Sequence, residues 1–360
     1  MAGSLSGMER IEIAGWGAVS PAGWGAEKLT AVLSGEREAP APEPFAREGA
    51  EDRPLRARRV PAPVDKLPFL REPRLRRASP IARFCVGAAL EAMGPDRVEA
   101  VKSGGLRLGT IFTLVNGCIN YSGRFYGEVL ADPALASPIV FPETVYNAPA
   151  SHLGALLGSH EPNATLVGDS AQFLNGLDIA ARWLLDDFCD AVVVVGGEEF
   201  DWLSAEAFEL FEPGVIHAEG AGALLLRRSD SPKVELGAVA EPVLYTNRTR
   251  RGAAIRAVAA ETRELLASTQ QGWVGDLTLL GRNNGQKRFE TAENAAWEGL
   301  TARKTDPAAI LGEGAGAAVA WQCVAAAAAV ASGETATAIV SGMGENEQAG
   351  AAIFTAGAAA

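Results

Sequence analysis

The sequence is poor in the residues that build metal sites, disulfide frameworks and membrane spans. Its 360 residues include four cysteines without a CxxC pair, which excludes a zinc-ribbon or disulfide-rich class. We expect Cys85, Cys189 and Cys323, which lie on or beside apolar stretches, to be small core residues. The most apolar run, "CVAAAAAVA", is far shorter than the ~20 residues that cross a bilayer, and the N-terminus lacks a signal-peptide core. These absences favour a soluble cytoplasmic protein.

Basic charge is also scarce, because 32 lysines and arginines face 44 acidic residues for a net charge of −12. Such a balance argues against nucleic acid as the main partner. The exception is the proline-rich segment 36–78, where ten arginines and one lysine against eight acidic residues give +3. We predict a long irregular excursion here, which is either a solvated surface loop or a docking patch for an acidic partner.

Histidine is the scarcest potential catalytic residue. The chain has His152, His160 and His217, and none follows position 217. A mechanism that needs an imidazole from the C-terminal part of the chain is therefore excluded.

What is present is a regular alternation of strands and helices. The segments "RLGTIFTLV", "ATLVG", "DAVVVVGGEEF" and "AEGAGALLLRR" predict strands, and helical segments such as "SPIARFCVGAALEAMG" and "AQFLNGLDIAARWLLDDF" lie between them. After "RRSDSPK" a similar order begins again with "VELGAVAEPVL". We predict an α/β fold of two pseudo-duplicated halves, residues 1–230 and 231–360, with helices between two sheets.

The junction "ATLVGDSAQF" is the main candidate for a reactive site. A strand that runs into a helix through a small polar residue, here Ser170 after Gly168 and Asp169, often holds a nucleophile. The positive end of a helix dipole stabilises a thiolate, but a serine hydroxyl also needs a neighbouring base. The residues alone leave open whether Ser170 reacts.

Four segments in order resemble the β-ketoacyl-acyl-carrier-protein synthases, which have the thiolase-like fold. They are "IAGWGAVSPAGWG", "FPETVYNAPASHLGALLGSHEPNATLVGDSAQF", "DAVVVVGGEEF" and "HAEGAGALLL". The resemblance covers nearly the whole chain and implies a layered αβαβα architecture, an acyl carrier protein as partner and no cofactor. The glycine runs "AEGAG" and "LGEGAG" lack the residues that phosphate loops require, so we interpret them as close-packing glycines.

The resemblance also implies where a catalytic centre belongs. Active members carry a cysteine at the elbow, where this chain has Ser170, and two histidines in the second half. The histidine positions correspond to Arg282 or Asn283 and to Glu313. The family's aromatic gate loop is replaced by the segment Met343, Gly344 and Glu345.

The three histidines have other expected roles. His152 falls where the family has a structural histidine, His160 lies in a turn that we expect to be solvated, and His217 precedes the "AEGAG" strand. A structural role is favoured over catalysis for His152 and His217.

These departures predict a non-condensing, chain-length-factor-like subunit that pairs with an active ketosynthase in polyketide, aryl-polyene or specialised fatty-acid synthesis. Residues near 112–145 would line the interface and the bottom of the acyl tunnel, or else belong simply to the core. One alternative is a serine acyltransferase or hydrolase in which Ser170 is acylated with help from Glu313 or Asp169. Another is a self-associating scaffold that forms a homodimer.

Overall fold

The computed structural model describes residues 10–45, 54–64, 67–211, 213–246, 250–269 and 276–357, apart from the side chains of residues 269 and 288. Its strands are β1 (Arg10–Ser20), β2 (Gly23–Trp24), β3 (Glu43–Phe45), β4 (Leu55–Arg58), β5 (Leu108–Leu114), β6 (Asn163–Val167), β7 (Ala191–Glu198), β8 (His217–Ala218), β9 (Gly220–Ser229), β10 (Val234–Val239), β11 (Val243–Leu244), β12 (Leu277–Leu280), β13 (Arg303–Thr305), β14 (Thr337–Met343) and β15 (Gln348–Ala356). Its α-helices are α1 (Ala26–Leu33), α2 (Pro80–Lys102), α3 (Ile119–Ala131), α4 (Ala148–Leu157), α5 (Gln172–Leu185), α6 (Trp202–Phe211), α7 (Arg251–Thr269), α8 (Lys287–Ala296), α9 (Pro307–Leu311) and α10 (Ala318–Ala331).

The strand order shows an internal duplication. The main path is β13-β12-β14-β15-β10-β1-β9-β7-β5-β6, and the halves meet where β1 pairs with β10. In the first half, β9 runs antiparallel to both of its neighbours, β1 and β7, whereas β7, β5 and β6 run parallel. The strands β10, β15, β14, β12 and β13 repeat the same order and directions. The predicted α/β fold of two pseudo-duplicated halves is confirmed, while the proposed domain boundary at residue 230 stays a prediction.

Helices α5 and α10 form the buried middle layer, and small residues allow them to pack closely on the sheet. Helix α10 is rich in alanine, and the strand beneath it has Gly222, where an added Cβ would lie 2.8 Å from Ala320. Trp321 is fully buried, and its indole N–H is directed at the carbonyl oxygens of Val19 and Ala221, both at 3.1 Å. A single buried donor thus contacts both β1 and β9.

The outer helices cover the two sheet halves separately. Helices α2 and α4 pack on the first half, and α7 and α8 pack on the second. The predicted Ser-Pro start of α2 is confirmed, since the Ser79 hydroxyl accepts from the Ala82 N–H and Pro80 is the first helical residue. Gly94 has φ 72° and interrupts the helix at the predicted glycine, after which a second segment continues to Lys102.

Part of the basic excursion is ordered against the body of the protein. Strands β3 and β4 form a small sheet with β8, so the prediction of an entirely irregular segment is wrong for these residues. Arg59 ties the segment down through an ion pair with Glu219 (2.7 Å) and by stacking on Phe45 and Phe200. The parts of the excursion at 46–53 and 65–66 lie outside the described residues.

All four cysteines are buried and free, as expected for core residues. None of the helices in the described ranges combines the length and the apolar character that a membrane crossing needs.

Candidate functional site

Ser170 lies at the elbow that the sequence predicts. Strand β6 ends at Val167, and α5 begins at Gln172, which donates its N–H to the Asp169 carbonyl oxygen at 3.0 Å. The Asp169 carboxylate caps this start by accepting from the Ala171 N–H at 3.1 Å. Ser170 itself is only 1% exposed, so the local fold buries the hydroxyl at the helix N-terminus.

Arg282 is one of the two residues expected at the first histidine position. It follows β12, and its main-chain N–H donates to the buried Glu293 carboxylate at 3.0 and 3.1 Å. The guanidinium is buried and donates to the Ser170 Oγ from Nη2 at 3.0 Å. A permanently charged group that donates to the serine cannot also accept its proton.

Glu313 occupies the second histidine position. Its main chain bridges to β8, because its N–H donates to Ile216 and its carbonyl oxygen accepts from Ala218, at 2.7 and 2.8 Å. The carboxylate forms a two-bond pair with Arg282 at 2.6 and 2.8 Å. Asn284 Nδ2 (2.7 Å) and the Ala315 N–H (2.9 Å) supply further donors. Glu313 is therefore a fully hydrogen-bonded carboxylate that does not contact Ser170.

The segment in place of the gate loop closes over this site. We call residues 344–347, the turn between β14 and β15, the strap. Glu345 on the strap accepts from the Ser170 hydroxyl at 3.1 Å and from the Ser170 N–H at 3.2 Å, and its carboxylate also pairs with Arg282. Gly344 lies so close to Asp169 that an added Cβ would be 1.9 Å from its carboxylate.

The four side chains form a buried network with more negative than positive charge. Burial raises the pKa of Glu345 to about 7; the Arg282 guanidinium opposes this shift, and the charges of Glu313 and Asp169 add to it. Burial also opposes ionisation of Glu313, but its ion pair with Arg282 holds the Glu313 pKa below its usual value. Arg282 has a raised pKa because the two carboxylates outweigh its burial.

The structure distinguishes between the candidates that the sequence left open. Ser170, Arg282, Glu313 and Glu345 come together, whereas the half-buried Asn283 lies outside the network and caps the Gly285 N–H at 2.9 Å. Met343 ends β14 as a core residue of the second half rather than as a lining of the site. The alternative bases also fail to meet the serine: the hydroxyl contacts Glu345, not Glu313 or Asp169.

None of the three imidazoles makes a hydrogen bond to the network in the part of the chain described. His152 is buried and bonds Glu143 at 2.7 Å, as its predicted structural role requires, and His160 is exposed. His217 packs edge-on to Phe208 and lines a cavity of about 20 Å³ together with Glu313 and others. Burial lowers the pKa of His217 despite the nearby carboxylates.

Three residues that the sequence reasoning missed hold the site together. The Tyr245 hydroxyl donates to the Gly344 carbonyl oxygen at 3.2 Å, and Arg251 donates to the carbonyl oxygen of Glu345. The Gln322 amide faces the carbonyl oxygens that end β12 and β14, at 2.7 to 3.2 Å. Gln322 could have been found from the sequence, because it is the one amide side chain in the otherwise apolar, alanine-rich helix α10.

In the described part of the chain, Ser170 belongs neither to a group of metal-binding side chains nor to the lining of the larger cleft. Within the described ranges, no group of three or more His, Cys, Asp or Glu side chains is placed to hold a metal ion. A cleft of about 380 Å³ opens beside the loop 284–287 and the end of α6, but Ser170 does not line it.

The sequence matches the family model of the β-ketoacyl synthase N-terminal domain over residues 8–231, which is more than half of the chain. The chain belongs to the β-ketoacyl synthase family. No curated protein matches it by sequence.

Solved structures of ketosynthases share its fold. The ishigamide ketosynthase/chain length factor is 18% identical at a TM-score of 0.76, covering 96% of this chain and 99% of that one. AntDE:AntF is a type II polyketide synthase structure in which the acyl carrier protein is in complex with its ketosynthase bound to the hexaketide. It is 14% identical at a TM-score of 0.77, covering 97% of this chain and 99% of that one. A β-ketoacyl synthase from Burkholderia phymatum STM815 is 14% identical at a TM-score of 0.76, covering 97% of this chain and 100% of that one. These likenesses confirm the thiolase-like ketosynthase fold.

Proposed function

We propose that this chain is a non-condensing member of the family that acts as a chain-length-factor-like partner of an active ketosynthase. The observation that carries the proposal is the burial of Ser170, at the position expected for the nucleophile, against Arg282 and Glu345, while Glu313 pairs with the same guanidinium. The pathway would be polyketide, aryl-polyene or specialised fatty-acid synthesis.

The network lacks the chemistry of decarboxylative condensation. A serine at a helix N-terminus does not ionise as a thiolate does, so the dipole alone gives no nucleophile. The residues in place of the histidines are an arginine and a carboxylate paired with each other, at 2.6 Å. The Arg282 guanidinium is already bound to Glu313, Glu345 and Ser170, so the imidazole donors that would hold an enolate oxygen are missing from this site.

An unpartnered apolar surface supports the pairing. Helix α3 contains no buried residue, although aromatic and aliphatic side chains lie along it. Apolar side chains of α3 and the segment after it are exposed: Tyr126, Leu130, Leu135, Ile139, Phe141, Val145 and Tyr146. Exposed apolar side chains concentrated in one segment favour a protein interface. The buried Phe112 and Leu114 instead belong to the core, so only the later part of 112–145 fits the proposed surface.

The neighbouring sheet edge has the same character. Strand β6 pairs with β5 on one side and ends the sheet path of the described residues on the other. Its sequence "NATLV" has no charge and no proline, the features that usually protect an exposed edge. We expect an edge of this kind to be covered by a partner subunit.

The arginine-rich end of the excursion suits an acidic carrier protein. Arg71, Arg74, Arg76 and Arg77 are exposed beside the buried anchor Leu75. None of these four guanidinium groups forms an ion pair within the described residues, in a protein whose net charge is −12. AntDE:AntF, a ketosynthase in complex with its acyl carrier protein, supports this choice of partner.

The test is to purify the chain alone and together with the ketosynthase encoded beside it. We expect a stable heterodimer that forms product from malonyl-carrier protein, and no condensation by this chain alone. Condensation by the isolated chain would overturn the proposal. A homodimer that ignores every co-expressed synthase would favour the scaffold alternative.

One contact favours a second candidate, a serine acyltransferase or hydrolase. The Ser170 hydroxyl donates to Glu345, a carboxylate whose pKa burial raises to about 7, and this is the contact that a general base would make. An acyl group found on Ser170 by intact-protein mass spectrometry, and lost in Ser170→Ala, would support it.

A further inference from the structure

The strap is fastened to the body of the protein at both ends and in its middle. Asp169 accepts from the N–H groups of Glu347 (2.8 Å) and Gln348 (3.1 Å), and Gly344 donates to the Gln348 carbonyl oxygen at 2.9 Å. Tyr245 and Arg251 hold the main chain of the strap from the outside. On the inner side, the Glu345 carboxylate holds the strap to the buried site through its bonds to Ser170 and Arg282.

Two carboxylates, Glu313 and Glu345, share the single positive charge of Arg282 in the buried site. Arg282 is neutralised by its two-bond pair with Glu313, which has two further donors of its own. Glu345 shares the same guanidinium and otherwise contacts the hydroxyl and N–H of Ser170, which are neutral groups. A second ionised carboxylate on one buried cation leaves uncompensated negative charge away from water.

The other charged or titratable groups around Glu345 do not remove this excess. They are Arg282, Glu313, Asp169, Arg251, Tyr245 and, on the strap itself, Glu347. Arg251 bonds the carbonyl oxygen of Glu345 rather than its carboxylate, and its guanidinium stacks on Phe289 at 3.9 Å.

We propose that the strap is a pH-sensitive latch, closed while the Glu345 carboxyl is neutral and loosened when that carboxyl loses its proton. The inference concerns the isolated chain and does not rest on the proposed subunit role.

The direction of the pH effect follows from the raised pKa of Glu345. In the open strap the carboxyl is in water with an ordinary pKa near 4.5, whereas in the closed strap burial raises it to about 7. The closed state is therefore fully favoured below the ordinary value and loses that advantage as the pH rises towards about 7. Above that range the opening equilibrium should level off.

Amide hydrogen exchange on the full chain tests the latch. Protection factors, corrected for the intrinsic pH dependence of exchange, are measured from pH 5 to 7.5 for the amides of Gly344, Glu347 and Gln348. We expect them to fall by roughly 30-fold or more in the wild type, and to stay level in Glu345→Gln. Amides of the core strand β7 serve as the control for global unfolding.

Any other exchange profile contradicts the proposed latch. A flat wild-type profile overturns it, and this profile suffices if Glu345→Gln does not fold. A fall that persists in Glu345→Gln, or that β7 shares, also overturns it. A profile in which protection rises with pH overturns it as well, because the latch requires the opposite sign.

Discussion

Removal of Arg282 tests whether the buried network is held together by its one cation. Arg282→Met keeps the length of the side chain but leaves the Glu313 and Glu345 carboxylates buried without a counter-charge. Removing one partner of a buried ion pair costs about 3–5 kcal/mol of unfolding free energy. The exposed arginine Arg182, which pairs with Asp178 at 2.9 Å on the surface of α5, is the matched control, and Arg182→Met should cost below ~1 kcal/mol.

Urea unfolding at pH 7.5 measures both variants, and a rescue variant makes the test specific. Neutralising the two carboxylates in Arg282→Met, by Glu313→Gln and Glu345→Gln, should restore much of the lost stability. The single variant should also become more stable as the pH falls, since both orphaned carboxyls would then have raised pKa values and bind protons in the folded state. A cost below ~1 kcal/mol for Arg282→Met, or a triple variant no more stable than the single one, would refute the reasoning.

Three further variants, one of them a double substitution, probe the strap, the interface and the basic segment. Gly344→Ala places a methyl group against the neighbouring carboxylate and should destabilise the chain by about 1–3 kcal/mol in urea, whereas Gly123→Ala, with open space around it, should not destabilise it. Leu130→Lys, at a side chain that is 69% exposed, should abolish co-purification with the ketosynthase and leave thermal unfolding unchanged; retained pairing would remove α3 from the interface. Arg76→Glu with Arg77→Glu should weaken carrier-protein binding and flatten its salt dependence in titrations at 50 and 200 mM salt, and unaltered binding would place the carrier elsewhere.

Much of the fold follows from patterns that the sequence displays. The continuously apolar "VVVV" of β7 and the restart after β9 are sufficient to predict a duplicated α/β fold. Helices α3 and α6 could not be predicted in this way, because their apolar side chains face outwards. Trp202, Leu210 and Phe211 on α6 are exposed, so the hydrophobic pattern does not mark a face towards the core.

The sequence indicated which positions belong to the candidate site, but it did not indicate which side chains bond to each other there. Ser170, Arg282 and Glu313 follow from the order of the family motifs, since each lies at a fixed place after a strand or helix. The bond between Ser170 and Glu345 spans 175 residues and depends on the closure of the strap, which a linear pattern does not encode. The clamp by Tyr245 and Arg251 is missed for the same reason.

The most direct test of the proposed role is to replace Ser170 by alanine in the assembled heterodimer and to measure product formation from malonyl-carrier protein. If this chain shapes the complex without taking part in bond formation, the turnover should stay within about twofold of the wild type, which is below 0.5 kcal/mol in barrier height. Turnover that disappears with the hydroxyl would contradict the account, because it would show that Ser170 reacts.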